Sequence, residues 1–252
     1  MSDNNKLVPV GKAGSTIITI RQAQDDSKPA AQSVSVGEET DGLVDIHFAI
    51  DTTGSMEQKI LALLRTCQDF VDETARKHLN ACFSLISFGD LRWFGSTDTI
   101  TVVVRPTPKI EAIKNGLAHI PRNNGYGNEG ESSFEAVLEV LKLPSRPRTI
   151  KIIILITDEP AHQHQHKAGE IISKLRQGEY LVYTVATAHQ YYKDMAAQTG
   201  GSWTQISSTS NLNHILDIFK DIARKASARA QDIASNYDGS VTKYLALNPP
   251  KK

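Results

Sequence analysis

The chain has 252 residues, with 28 Lys and Arg against 28 Asp and Glu and 40% hydrophobic side chains, which is ordinary for one medium-sized α/β domain with a full core. A formal net charge of zero excludes general electrostatic attraction to nucleic acid or an anionic membrane. No run reaches the roughly 18 apolar residues of a membrane span, and no apolar signal core follows the polar start Met1 to Asn5.

Residues 1–42 form a polar extension with one β-like run, Ser15 to Ile20, which Val34 to Val36 could join as an edge hairpin. A flexible leader fits the same composition. From residue 43 to 228 the pattern changes to short Val- and Ile-rich runs alternating with segments of helical period. That arrangement predicts a doubly wound, mostly parallel sheet with helices on both faces, a Rossmann-like α/β fold. Strands are expected at Val44 to Ile50, Cys82 to Phe88, Thr99 to Val104, Ile150 to Ile156 and Leu181 to Ala186, with a weak sixth at Trp203 to Ile206. The Thr99 run is the least continuously apolar and reads as an antiparallel edge beside the Cys82 strand.

Helical periodicity covers Met56 to His78, Pro108 to His119, Ser133 to Leu143, Lys167 to Arg176, Tyr191 to Thr199 and Asn211 to about Ser235. Gly200-Gly201 is a helix stop and Ser210 a candidate N-cap for the last helix. Residues 229–252 read as the end of that helix followed by an unstructured tail with Pro249, Pro250, Lys251 and Lys252. Cys67 and Cys82 fall on a helix face and a strand without metal spacing, so both are expected to be buried free thiols.

In an open α/β sheet, ligands bind at the carboxyl ends of the strands. The first strand ends in Asp51-Thr52-Thr53-Gly54-Ser55, where Asp51, Thr53 and Ser55 alternate and Gly54 permits a tight turn. The Ile150 strand ends in Thr157-Asp158-Glu159-Pro160 and brings a second carboxylate to the same edge. Two carboxylates and two hydroxyls suit a hard cation, Mg²⁺ or Mn²⁺. A capping role for each Asp is the competing reading. The third candidate is the Gly-rich loop Asn123 to Ser133: Ser132 with Glu135 makes a capping box, which competes with metal duty for Ser132, whereas Glu131 is not explained as a cap.

Asp51-Thr52-Thr53-Gly54-Ser55-Met56, the Gly-rich loop and Ile-Leu-Ile-Thr-Asp158 together resemble the von Willebrand factor A domain, over about Val44 to Ala226. The resemblance implies a metal-ion-dependent adhesion site with the pattern Asp-x-Ser-x-Ser, then Thr, then Asp. Asp51, Thr53 and Ser55 match the first element, with Thr53 in place of a Ser, and Asp158 matches the last. The middle Thr is absent: Glu131 falls in its slot with Ser132 beside it. A carboxylate there raises affinity for the cation and leaves less positive charge to capture an acidic ligand.

The resemblance thus implies a non-catalytic module whose metal, held by Asp51, Thr53, Ser55, Glu131 or Ser132, and Asp158, takes an oxygen ligand from a protein partner, such as an acidic side chain. A metal-dependent hydrolase or phosphate-handling enzyme on the same cation is the alternative, with Glu131 or a His of the 162–166 run as base. No nucleophile elbow, P-loop or dinucleotide fingerprint supports it. A structural subunit with a vestigial site is the third class. His162, His164 and His166 alternate as a metal site could use, or form a polar solvated loop. Asp90 could orient groups at the same rim or simply be a turn Asp, Trp93 and Phe94 could form an exposed contact or a core plug, and Tyr126 could meet a partner or pack on its own scaffold. Unpaired cysteines and the absence of a signal core point to a cytoplasmic, bacterial setting, and the resemblance implies work within a multi-protein assembly.

Overall fold

A computed structural model describes residues 42–91, 97–124, 130–163, 165–207 and 209–250. The expected strand Ser15 to Ile20 and its hairpin partner, with Trp93, Phe94, Tyr126 and His164, lie outside the described residues.

The order is β1 (Gly42–Asp51), a 3-10 turn (Gly54–Met56), α1 (Glu57–Arg76), β2 (Leu79–Phe88), β3 (Thr101–Thr107), α2 (Ile110–Ala118), α3 (Ser133–Val140), β4 (Thr149–Thr157), α4 (Ala168–Gln177), β5 (Tyr180–Ala186), α5 (Gln190–Thr199), β6 (Trp203–Gln205), α6 (Leu212–Asn236) and α7 (Val241–Leu247). The strands form one sheet in the order β3-β2-β1-β4-β5-β6, with β3 antiparallel to β2 and every other pair parallel. The expected antiparallel edge is therefore found, shifted toward the C-terminus relative to Thr99 to Val104.

Alternation along the strands sends side chains to two buried layers. Val44, Ile46, Phe48 and Ile50 of β1 pack with Leu63 and Phe70 of α1 and Phe219 and Ile222 of α6. On the other face Ala49, Ile153, Leu155 and Val182 meet Phe134 and Val137 of α3, Ile171 of α4 and Met195 of α5. Each fully buried Ile or Phe contributes about 1.5–3 kcal/mol, so the apolar run of β4 fixes the sheet centre. The strand order reverses between β1 and β4, which places Asp51 and Asp158 on either side of the crevice where this topology binds ligands.

Three parallel strands are entered through a left-handed non-glycine residue: His78 before β2 (φ 54°), Arg148 before β4 (φ 56°) and Glu179 before β5 (φ 57°). Beside the entry of β5, Gly200 closes α5 at φ 83°, and a Cβ on Gly201 would meet the Val182 carbonyl oxygen at 1.9 Å. The Gly-Gly stop is thus needed for both conformation and space.

Three expectations need correction. The residues after α6 are not an unstructured tail through Leu247: α7 forms because Ser240 accepts a cap bond from Lys243 N (3.2 Å), and Val241 and Tyr244 bury. The Arg229 guanidinium lies 4.7 Å from the Tyr244 ring centre, and Glu179 accepts from Thr242 N and Ser240 Oγ. The cap of α6 is Asn211, whose Oδ1 accepts from His214 N at 2.9 Å, while Ser210 Oγ accepts from Ser207 N. Cys67 is buried and free as expected, but Cys82 is free and only half-buried, near the N-terminal end of β2.

Candidate metal centre

The crevice is built from four loop ends. After β1 the chain turns through Gly54, and the Asp51 carboxylate, fully buried, organises that turn: its Oδ1 accepts from Thr53 N (2.9 Å) and Thr53 Oγ1 (2.7 Å), and its Oδ2 from Thr157 Oγ1 (2.9 Å). Every donor on Asp51 among the described residues is neutral. Burial pushes its pKa upward, these hydrogen bonds pull it back, and the nearby Asp158 charge adds to the push.

Asp158 is held differently. Its Oδ1 accepts from Ser55 Oγ (2.8 Å) and its Oδ2 from the Lys59 ammonium (2.9 Å), both charged side chains being almost wholly buried. Lys59 Nζ also donates to the Ser55 carbonyl at 2.8 Å. Neither Asp51 nor Asp158 caps a helix, so the competing capping reading does not describe them. Gly54 and Ser55 are exposed and form the open lip of the site.

Glu131 enters from the loop before α3. Its backbone is fixed against the β4 loop, with Glu131 N donating to Pro160 O (2.8 Å) and His162 N donating to Glu131 O (3.1 Å). The side chain is buried, and Oε2 has no hydrogen-bond partner among the described residues. Burial, then the charges of Asp51, Asp90, Asp98 and Glu159, push its pKa far above the ordinary carboxylate value. Ser132 occupies the N-cap position of α3, but its Oγ makes no cap bond and accepts from Leu91 N at 3.1 Å. The capping box is not formed through Ser132, because the loop around Gly89 claims both its backbone and its hydroxyl.

His162 is not part of a solvated loop: it is buried, and its Nε2 lies 2.9 Å from Asp90 Oδ1. Asp90 N in turn donates to Asp98 Oδ2 (3.1 Å). His166 is partly exposed near Glu170 and does not join this group. Asn123 ties the same floor together, donating to Thr52 Oγ1 (3.0 Å) and accepting from Thr99 N (3.1 Å).

Two groups were not predicted from the sequence. Lys59 carries a readable signal, since it lies on the buried stripe with Ile60, Leu63 and Phe70, where an uncompensated ammonium cannot remain. Tyr191 and Tyr192 leave no such trace: the Tyr191 hydroxyl accepts from Ala161 N (2.7 Å) and the Tyr192 hydroxyl donates to Glu159 O (3.2 Å), bracing the loop that carries Asp158. A separate cleft of about 710 Å³, lined by Ile172, Arg176, Gln198, Leu245 and Pro249 among others, includes none of these residues.

The donor set suits a hard cation in type: a buried carboxylate, Asp51, with only neutral donors, a second, Glu131, with an orphaned oxygen, and the hydroxyls of Thr53 and Ser55. No three His, Cys, Asp or Glu side chains converge in ligating positions among the described residues. Any ion here would rely on hydroxyls and water for most of its shell.

The von Willebrand factor type A domain model matches residues 45–221. Among solved structures, proximal thread matrix protein 1 from the mussel byssus is similar in two crystal forms, at 18% and 16% identity and TM-scores of 0.53 and 0.54. The matches cover 74% and 75% of this chain, which spans about half of that protein, 46% and 49%. No curated protein matches the sequence.

Proposed function

Because the chain belongs to the von Willebrand factor type A domain family, whose members generally serve protein–protein interaction, we propose that it is a metal-dependent interaction module. Asp51, Thr53, Ser55, Glu131 and Asp158 would hold one Mg²⁺ or Mn²⁺ at the β1–β4 crevice. The cation would supply an open position for an oxygen from a protein partner, in the form of an acidic side chain. Asp51 anchors the turn, Thr53 and Ser55 present hydroxyl lone pairs, and Asp158 acts through charge and through Ser55.

The observation that carries this reading is the pair of buried carboxylates, Asp51 and Glu131, for which no cationic group provides a hydrogen bond among the described residues. Burying two such charges costs several kcal/mol unless they are protonated or neutralised. A divalent ion would neutralise both. Between the two candidates for the middle position, Glu131 is favoured because the Ser132 hydroxyl already serves Leu91.

The module is read as non-catalytic: of the histidines weighed as a base, His162 is buried with its Nε2 bonded to Asp90. The free thiols Cys67 and Cys82 suit a reducing, cytoplasmic setting, and the described residues contain no helix long and apolar enough to cross a membrane. The test is calorimetric titration of metal-free protein with Mg²⁺ and Mn²⁺ beside Asp51→Ala, with folding checked by circular dichroism. One ion bound by the natural chain and none by the variant is expected. No binding by folded natural protein would refute the reading, and metal-dependent hydrolysis of a phosphate or ester would replace it with the enzyme.

A further inference from the structure

Lys59 stands where elementary electrostatics disfavours it. It is the third residue of α1, next to the positive end of the helix dipole, and it is 1% exposed. A buried ammonium there is unstable unless something offsets it. Asp158 Oδ2 at 2.9 Å and the Ser55 carbonyl at 2.8 Å do so. The same crevice carries an additional negative charge, Glu131, whose Oε2 has no hydrogen-bond partner among the described residues.

We propose that Lys59 is a built-in counter-charge to Glu131: its ammonium neutralises Asp158, so that three carboxylates present the net charge of two to a divalent cation. This rests on the metal reading above. Lys59 is a positioning residue, since it acts through Asp158 and Ser55. Counting the three ligand carboxylates alone, with Asp51, Glu131 and Asp158 ionised, a bound divalent ion and Lys59 bring the sum to zero, and without Lys59 it would be one unit negative; Asp90, Asp98 and Glu159, which also act on Glu131, are the same with and without Lys59. Lys59 thereby lowers cation affinity and keeps the crevice able to accept a partner's carboxylate, which an excess negative charge would repel.

The arrangement makes an opposite-sign prediction that a merely structural lysine would not. Removing an ordinary buried ion-pair partner damages a site, whereas removing this one should improve cation binding.

The experiment is Mn²⁺ titration by calorimetry at constant pH on the full chain and on Lys59→Met, Lys59→Arg, Glu131→Gln and the Lys59→Met/Glu131→Gln double variant. Each is checked by circular dichroism, and melting temperature is read with and without Mn²⁺. Lys59→Met is expected to bind about 10- to 100-fold tighter and Glu131→Gln correspondingly weaker, from loss of one unit charge a few ångströms from the ion. The double variant and Lys59→Arg should return to within about threefold of the natural chain. Mn²⁺ should raise the melting temperature of Lys59→Met more than that of the natural protein. Should Lys59→Met not fold, Lys59→Gln deletes the same charge while keeping an amide donor toward Asp158 and the Ser55 carbonyl, and the same tightening is expected of it.

Equal or weaker binding by Lys59→Met, with the natural chain binding normally, overturns the counter-charge and leaves the metal reading intact. Binding by Lys59→Met alone overturns the metal reading for the natural chain and, with it, the counter-charge that rests on that reading. No binding by any folded variant overturns both.

Discussion

Glu131 and Ala161 form a parallel bridge between two loops, and the Pro160 carbonyl that accepts Glu131 N at 2.8 Å is the atom a Cβ on Gly130 would strike at 2.5 Å. Gly130 also sits at φ 114°, where other residues are strained. The approach of the Gly-rich loop to the Asp158 loop therefore depends on one missing side chain.

Gly130→Ala is accordingly expected to cost about 2–4 kcal/mol of stability and to weaken Mn²⁺ binding by moving Glu131. Urea unfolding and calorimetry on the same sample measure both. An unchanged unfolding midpoint would show that the loop reaches its place without the close contact.

Glu131→Gln should stabilise the protein when a chelator removes metal. The folded Glu131 pKa lies above its ordinary value of 4.5, with burial the main cause and neighbouring carboxylates the second. An acid of that kind contributes stability below its unfolded pKa and loses it as pH rises toward the folded one. The gain from Gln is expected to be about 1–3 kcal/mol at pH 8 and near zero at pH 4. A pH-independent gain would assign the effect to packing.

His47, on β1 well below the crevice, titrates in the other sense. Burial lowers its pKa to about 4, opposed by Asp45 and aided by Lys151, while its Nδ1 shares a 2.8 Å hydrogen bond with Ser84 and its ring lies against Tyr180. The neutral ring contributes stability fully present above the unfolded value of 6.5, lost as pH falls from there through about 4. Up to about 3 kcal/mol should disappear over that window. His47→Gln should flatten the slope in unfolding measurements between pH 7 and 4, and an unaltered slope would locate the acid sensitivity elsewhere.

His162→Ala removes the imidazole from buried Asp90 and is expected to cost about 2–4 kcal/mol, with His162→Gln recovering part of it through an amide donor. Thermal unfolding of the three proteins decides this. If both variants lose the same amount, the ring contributes by packing and not through its bond to Asp90.

The sheet was legible because its inner strands are apolar on both faces: the expected runs at Val44, Cys82, Ile150 and Leu181 fall within β1, β2, β4 and β5, each one to three residues shorter than the observed strand. Alternating Asp51, Thr53 and Ser55 were equally visible, since a strand-to-helix turn leaves few other uses for that spacing. The helix α7 was hidden by two prolines and two lysines that lie beyond it, although Ser240, Val241 and Tyr244 had the cap and the apolar pair. The Lys59–Asp158 pair and the tyrosine braces join residues far apart in the chain, and a single sequence gives no distance between them.

His78, Arg148 and Glu179 hold left-handed backbone at the entry of three parallel strands, while the carboxylates gather where those strands and their neighbour leave the sheet. Each left-handed seat costs about 1–2 kcal/mol, and glycine would relieve it. Conformational stress and ligand chemistry thus occupy opposite rims of one rigid plate. Substitution along one rim can therefore raise or lower the thermal robustness of this domain without touching the charge pattern of the other.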